Sequence, residues 1–254
     1  VVQNPGSSVF SIAIGRIPLN LVFAEPTLRQ KAAARYASFQ TSGDGFPVFV
    51  HQSEPLRSGA PDLTFSLNGA TLRLTDSAAY LAGVTNEYLL DSLLRGLLSQ
   101  KLLDASGFLL HACTVVRDGR AYVFTGRSGA GKSTIARHAP QGAALTDEIS
   151  LIRRLGSVWH AFGTPFWGEF QSGSVNEHYP LAGIYALVQA RENRLEALAP
   201  KDALRALLPN VLFFSRQPAE RAALLQVVAD LASSLPVATL RFTREIIFWE
   251  ELAA

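Results

Sequence analysis

Apolar and polar positions alternate through Phe10, Ile12, Ile14, Ile17, Leu19, Leu21 and Phe23, with Gly15-Arg16 between the two runs. A period of two broken by a Gly-X pair predicts a two-residue hairpin in which Ile14 faces Ile17 and Ile12 faces Leu19. Leu28, Ala32, Arg35, Tyr36 and Phe39 then recur at helical spacing, predicting a helix from Thr27 to Phe39 with Thr27 as its cap. Phe46 to Val50 reads as a short strand. Alternation returns from Leu63 to Leu74 about Asn68-Gly69, a strong hairpin signal that sets Leu63, Phe65 and Leu67 opposite Leu74, Leu72 and Ala70. From Glu87 to Leu103 the period lengthens to that of a helix, with Leu90, Leu93, Leu94, Leu97 and Leu98 forming a wide stripe that belongs to a core. Further on, Leu181 to Ala190 is strand-like, Pro200 to Leu208 and Pro218 to Leu235 are helical, Val237 to Phe242 is a last strand, and Ile246 to Trp249 is a final apolar segment.

The middle of the chain carries the chemistry. Val115-Val116 and Ala121-Tyr122 flank Asp118-Gly119, which predicts another tight hairpin, pairing Val116 with Ala121, Cys113 with Phe124 and His111 with Gly126. The second strand runs into Gly126-Arg127-Ser128-Gly129-Ala130-Gly131-Lys132-Ser133, which meets the G-x-x-x-x-G-K-[ST] pattern at every fixed position. Ser133 to His138 continues as a helix until Pro140. In a strand, glycine loop and helix of this kind, small residues let backbone N–H groups converge on an oligophosphate, and the helix start adds its positive end. The residues Gly126, Arg127, Ser128, Gly129, Ala130, Gly131, Lys132, Ser133 and Thr134 are therefore the candidate nucleotide-binding set. Lys132 is placed against the β- and γ-phosphates, Ser133 offers a hydroxyl to Mg²⁺, and the smallness of Gly131 is expected to matter.

After Pro140-Gln141-Gly142, Ala143 to Ile149 reads as a short strand that ends in Asp147 and Glu148, fifteen positions beyond Lys132. So short a crossover predicts a βαβ return near the loop strand, with the two carboxylates facing the same phosphates. His111 is either a satisfied core histidine or, by its pairing with Gly126, a member of the site. His51 reads as a surface histidine.

Composition narrows the class. The 254 residues are 48 % hydrophobic and 17 % charged, without an apolar run of membrane-spanning length, a signal peptide or a stop-transfer pattern. The expectation is a cytoplasmic globular protein with no membrane partner. A net charge of +2 with scattered basic residues argues against nucleic acid as a partner. Lysine is scarce, so Lys132 stands out beside Lys31, Lys101 and Lys201. Cys113 is the single cysteine, in a strand pattern that predicts burial rather than reactivity. There is no methionine, even at position 1, so the sequence is expected to be trimmed at its start.

Leu110-His111-Ala112, the glycine loop through Thr134, and Leu145-Thr146-Asp147-Glu148 together resemble the HPr kinase/phosphorylase family, P-loop proteins related to phosphoenolpyruvate carboxykinase. The resemblance covers about residues 105 to 152. It implies an α/β fold with a mixed-sheet P-loop domain over 105–254, preceded by a mixed α+β domain over 1–104. It also implies an ATP- and Mg²⁺-dependent kinase acting on a serine or similar hydroxyl of a protein, peptide or small molecule. In that reading Asp147 is the base, Lys132 and His111 complete the catalytic set, and Ser133, Asp147 and Glu148 face the metal. A homo-oligomer is compatible with it. The loop-to-acid spacing is slightly shorter than in that family, and its downstream arginine-glycine signature is replaced by Gly163-Thr164-Pro165-Phe166-Trp167-Gly168-Glu169. These departures point to a divergent HPr-kinase-related group with an unidentified acceptor. Glu169 is either an exposed loop residue or a further active-site acid. A nucleotide-sensing module without turnover, and a phosphorylase or hydrolase, are the alternatives.

Overall fold

Two mixed sheets with helices make a mixed α/β architecture, seen in a computed structural model that describes residues 9–51, 63–140, 143–168 and 175–243. The chain divides into two compact units, Val1–Lys101 and Leu102–Ala254.

In the first unit, β1 (Val9–Ile14) and β2 (Ile17–Phe23) form the predicted hairpin, with Ile14 paired to Ile17 and Ile12 to Leu19. Their turn is tight because Gly15 and Arg16 both take positive φ, at 60° and 62°. The following helix differs from expectation. α1 is Pro26–Arg35, its N-cap is Glu25, no side chain caps it, and a 3₁₀ turn over Ala37–Phe39 follows. Proline explains the earlier start, since its fixed φ suits the first helical position and it has no N–H to leave unpaired there. Thr27 is therefore inside the helix rather than capping it. β3 (Phe46–Val50), β4 (Leu63–Leu67), β5 (Ala70–Leu74) and β6 (Ala79–Ala82) complete a sheet ordered β1-β2-β3-β6-β5-β4. The Asn68-Gly69 hairpin has the predicted register, Phe65 facing Leu72. α2 (Glu87–Asp104) is capped by Asn86, whose Oδ1 accepts from the N–H groups of Tyr88 and Leu89 at 3.1 and 3.0 Å.

The second unit begins with β7 (Gly107–Arg117), β8 (Arg120–Thr125), α3 (Lys132–His138), β9 (Ala144–Thr146), β10 (Ile149–Leu155) and β11 (Val158–Phe162). It continues through β12 (His178–Gln189), β13 (Arg194–Ala197), α4 (Pro200–Leu207), β14 (Val211–Leu212), α5 (Pro218–Ser234) and β15 (Val237–Phe242). The strand order is β11-β10-β7-β8-β12-β15-β13, and β11 also pairs with β12, closing β11, β10, β7, β8 and β12 into a ring. Alternate residues of β7 feed two cores. Leu110 and Ala112 join Leu207, Leu224 and Leu231 of α4 and α5, while Cys113 and Val115 join Ile135 and Ala136 of α3.

The crossover after α3 does not return beside the loop strand. β9 pairs antiparallel with β7, so it runs in the direction of β8 but one strand removed. The other edge of β8 is taken by β12, in parallel from Leu181–Ala121 to Ala186–Thr125. The expected segments at Glu169 and at Ile246 to Trp249 lie outside the described residues.

Candidate functional site

The site is assembled where β8 gives way to α3. Thr125 ends the strand and donates its hydroxyl to the His111 carbonyl at 3.0 Å, pinning β8 to β7 where their ladder stops at Ala112–Thr125. The chain then turns through Gly126, Gly129 and Gly131 at φ of 153°, 77° and 116°. Gly131 is the tightest of these. A Cβ there would lie 2.5 Å from Cζ of Phe242. Inside the turn the Ala130 N–H donates to the Arg127 carbonyl at 3.1 Å, and the Gly129 carbonyl accepts from Gln189 Nε2 at 2.9 Å. The peptide joining Gly129 to Ala130 is thus held at both ends.

Lys132 folds back over the loop. Its Nζ donates to the carbonyls of Gly126 at 2.8 Å and Arg127 at 3.2 Å, and the residue is buried. Desolvation lowers the ammonium pKa, against the opposing pull of Cys113 and Glu148. Cys113 lies in the core beneath α3, where desolvation pushes its thiol up to about 12. Structural burial, as expected from its strand pattern, is what it shows.

Asp147 and Glu148 sit at a bend. β9 and β10 both pair with β7, Thr146 opposite Thr114 and Ile149 opposite His111, and the two acids occupy the break between them. Asp147 is 4 % exposed, and its Oδ1 accepts from the Gly168 N–H at 3.0 Å. Thr164 is buried too and donates to the Ile149 carbonyl at 2.7 Å, so the segment from Gly163 to Gly168 is fastened over the acids at two points. Gly168 comes close: a Cβ on it would lie 3.3 Å from Glu148 Oε2 and 3.5 Å from Asp147 Oδ2.

One cavity of about 400 Å³ collects these groups. His111, Ser128, Gly129, Gly131, Lys132, Ser133, Thr134, Asp147 and Glu148 line it, together with Gly168 and Gln189. Gly126, Arg127 and Ala130 shape the loop without lining the cavity. The first two turn carbonyls to Lys132, and Ala130 packs into the core on the α3 side. His111 lines the cavity, but the expected pairing with Gly126 is not made: the β7–β8 ladder stops at Ala112–Thr125, and His111 pairs with Ile149 of β10 on the other edge of β7. Gly168 and Gln189 escaped the sequence reading. Gln189 closes an ordinary strand run, and Gly168 acts through its backbone N–H, which no side-chain pattern marks.

Two carboxylates and the Ser133 hydroxyl form a set of hard oxygen donors. Among the described residues no group of three or more His, Cys, Asp or Glu could hold a metal by itself. The set present suits Mg²⁺, which keeps several waters and usually shares its remaining positions with one or two carboxylates and substrate phosphates. Among the described residues no helix is long and apolar enough to cross a membrane.

A family model described as SynChlorMet cassette protein ScmC matches residues 93–254. No curated protein matches the chain. Among solved structures, the Hpr(Ser) kinase/phosphatase from Coxiella burnetii is similar at 14 % identity, over 49 % of this chain and 89 % of that one, with a TM-score of 0.26. A likeness so distant carries no argument about activity.

Proposed function

The chain belongs to the SynChlorMet cassette protein ScmC family, and we propose that it is an ATP- and Mg²⁺-dependent phosphotransferase acting on a hydroxyl of a protein, peptide or small molecule. The observation that carries this reading is the single cavity in which the glycine loop, Lys132, Ser133 and both carboxylates meet. Phosphoryl transfer asks a protein mainly for positioning and charge neutralisation. Loop N–H groups and Lys132 would hold the phosphates, the lysine exchanging its two carbonyl partners for phosphate oxygens. Ser133, Asp147 and Glu148 would hold Mg²⁺, which when bound offsets phosphate charge. Asp147 would take the acceptor's proton as the oxygen–phosphorus bond to the acceptor forms and the bond to ADP breaks. The Gly168 N–H on its Oδ1 would help hold Asp147 for that task. His111, lining the cavity beside the loop, would add positive charge when protonated.

One observation favours a nucleotide-sensing module without turnover. Asp147 Oδ1 accepts from the Gly168 N–H, an arrangement that also suits a carboxylate fixed in place without taking a proton. Incubation with γ-labelled ATP and Mg²⁺ separates the readings: label on an acceptor supports the transferase, label as free phosphate a hydrolase, and bound but intact ATP the sensor. Asp147→Asn keeps the shape and loses the base. The transferase reading expects ATP binding near that of the parent and phosphoryl transfer lowered by about 10²-fold or more. Equal transfer rates for the variant and the parent would refute the assignment of Asp147.

A further inference from the structure

The bend that carries the acids has a polar underside. Thr146 pairs with Thr114 and Ser150 with Leu110, so their side chains share the face of β7 opposite Cys113 and the glycine loop. There the Ser150 hydroxyl lies 2.7 Å from Thr114 Oγ1 and 2.8 Å from Thr146 Oγ1, and donates to the Ala112 carbonyl at 3.1 Å. Ala112 in turn donates its N–H to the Glu148 carbonyl at 3.0 Å. A hydroxyl has one proton and two lone pairs, so with its proton on Ala112 the Ser150 oxygen accepts from both threonines and is saturated. Thr114, Thr146 and Ser150 are all 2 % exposed or less.

A cluster of this kind has a cost, because three buried hydroxyls are worse than three apolar groups unless every bond is made. An interrupted ladder tolerates slippage, and here the interruption bears the two acids. We infer that Thr114, Thr146 and Ser150 form a positioning device for Asp147 and Glu148, with Ser150 at its centre. The inference rests on the phosphotransferase reading for what the acids do, while the device itself is built from these contacts alone. It grips the bend on the face away from the cavity, while the Gly168 N–H, at the cavity wall, holds Asp147 itself. The acids are then aimed from both sides, without any member of the cluster touching substrate or metal.

The test compares Ser150→Ala and Thr146→Val, which remove a hydroxyl at nearly constant volume, with Thr146→Ser, which keeps it. Calorimetric titration with ATP is run in EDTA and then across a MgCl₂ series, and amide hydrogen exchange is followed over residues 144–150 without nucleotide. All variants should bind ATP in EDTA like the parent. Ser150→Ala and Thr146→Val should need about tenfold more Mg²⁺ for the same gain in affinity, as loss of groups behind metal ligands typically causes. Their amides at the bend should exchange faster, while Thr146→Ser stays parental in both respects. Lower thermal stability with an unchanged Mg²⁺ requirement and unchanged exchange at the bend would reduce the cluster to packing and overturn the inference. A parent whose ATP binding ignores Mg²⁺ would overturn the metal-side role of the acids instead. The exchange result would still judge the positioning claim.

Discussion

Gly131 is where the glycine loop meets the rest of its unit most closely, and replacing it should expose that dependence. Gly131→Ala sets a side chain at φ +116° and brings Cβ to 2.5 Å from Cζ of Phe242, a ring that is 3 % exposed and so has little room to move. The left-handed backbone costs an L-residue roughly 1–2 kcal/mol, and forcing an extra carbon into a packed site a further ~1–3 kcal/mol. Together a destabilisation of roughly 2–5 kcal/mol is expected. Only the second part involves Phe242. Phe242→Leu removes the ring edge, so in the double mutant it should recover about 1–3 kcal/mol while the backbone part remains. All three tryptophans, Trp159, Trp167 and Trp249, belong to Leu102–Ala254, so urea unfolding followed by fluorescence reports this unit. Energies from the double-mutant cycle that add to within about 0.5 kcal/mol would show that Phe242 does not confine the loop. A stable Gly131→Ala protein would refute the backbone argument as well.

Two further outcomes follow from buried groups around the loop. Lys132→Ala removes the ammonium that the proposed function sets against phosphate and also the bonds to Gly126 and Arg127, so calorimetry should find ATP·Mg²⁺ binding weakened at least tenfold; parental affinity would sink the phosphate-loop assignment. Cys113 has a thiol pKa of about 12 against an ordinary 9.0, so the unfolded chain ionises first. Its contribution is whole below about pH 9 and is lost between about pH 9 and 12, at up to ~1.4 kcal/mol per pH unit. Tyr185 shifts in the same direction, so the thiol's share is the difference in pH slope between the parent and Cys113→Ala under urea. Identical slopes would mean that the thiol ionises as readily folded as unfolded.

The hairpins were legible in the sequence because period-two alternation and a turn pair fix a register locally. Asn68-Gly69 and Asp118-Gly119 each set every cross-strand partner found in the structure. What local pattern could not supply was the destination of a strand. β9 is three residues long, and its place against β7 rather than β8 is decided by β12, which is more than thirty residues away in sequence and already covers the β8 edge. The start of α1 was misplaced for a smaller reason: Thr27 and Pro26 both signal a helix start, and proline's fixed φ decided between them.

The candidate site divides along the same line. Its loop and acids could be read because they are contiguous motifs, and His111 because a tight hairpin carries it to the loop. Gln189 and Gly168 act through one hydrogen bond each, from a strand end and a backbone N–H, and neither kind of contact leaves a pattern in composition or period. Ser150 is the sharper case. In the sequence it is only a serine after an isoleucine, and its role depends on Thr114, thirty-six residues earlier, meeting it across a ladder that breaks at two acids. A carboxylate needs to be held in place by something other than the groups it acts on, or it would swing toward whichever cation is nearest. Lys132, which lines the same cavity, is held by the loop carbonyls of Gly126 and Arg127. The bend that carries the acids is tied to β7 through the Ala112 N–H on the Glu148 carbonyl and to the Gly163 to Gly168 segment through the Gly168 N–H on Asp147. Loop and acids are thus each anchored by backbone groups of their own where they meet in the cavity.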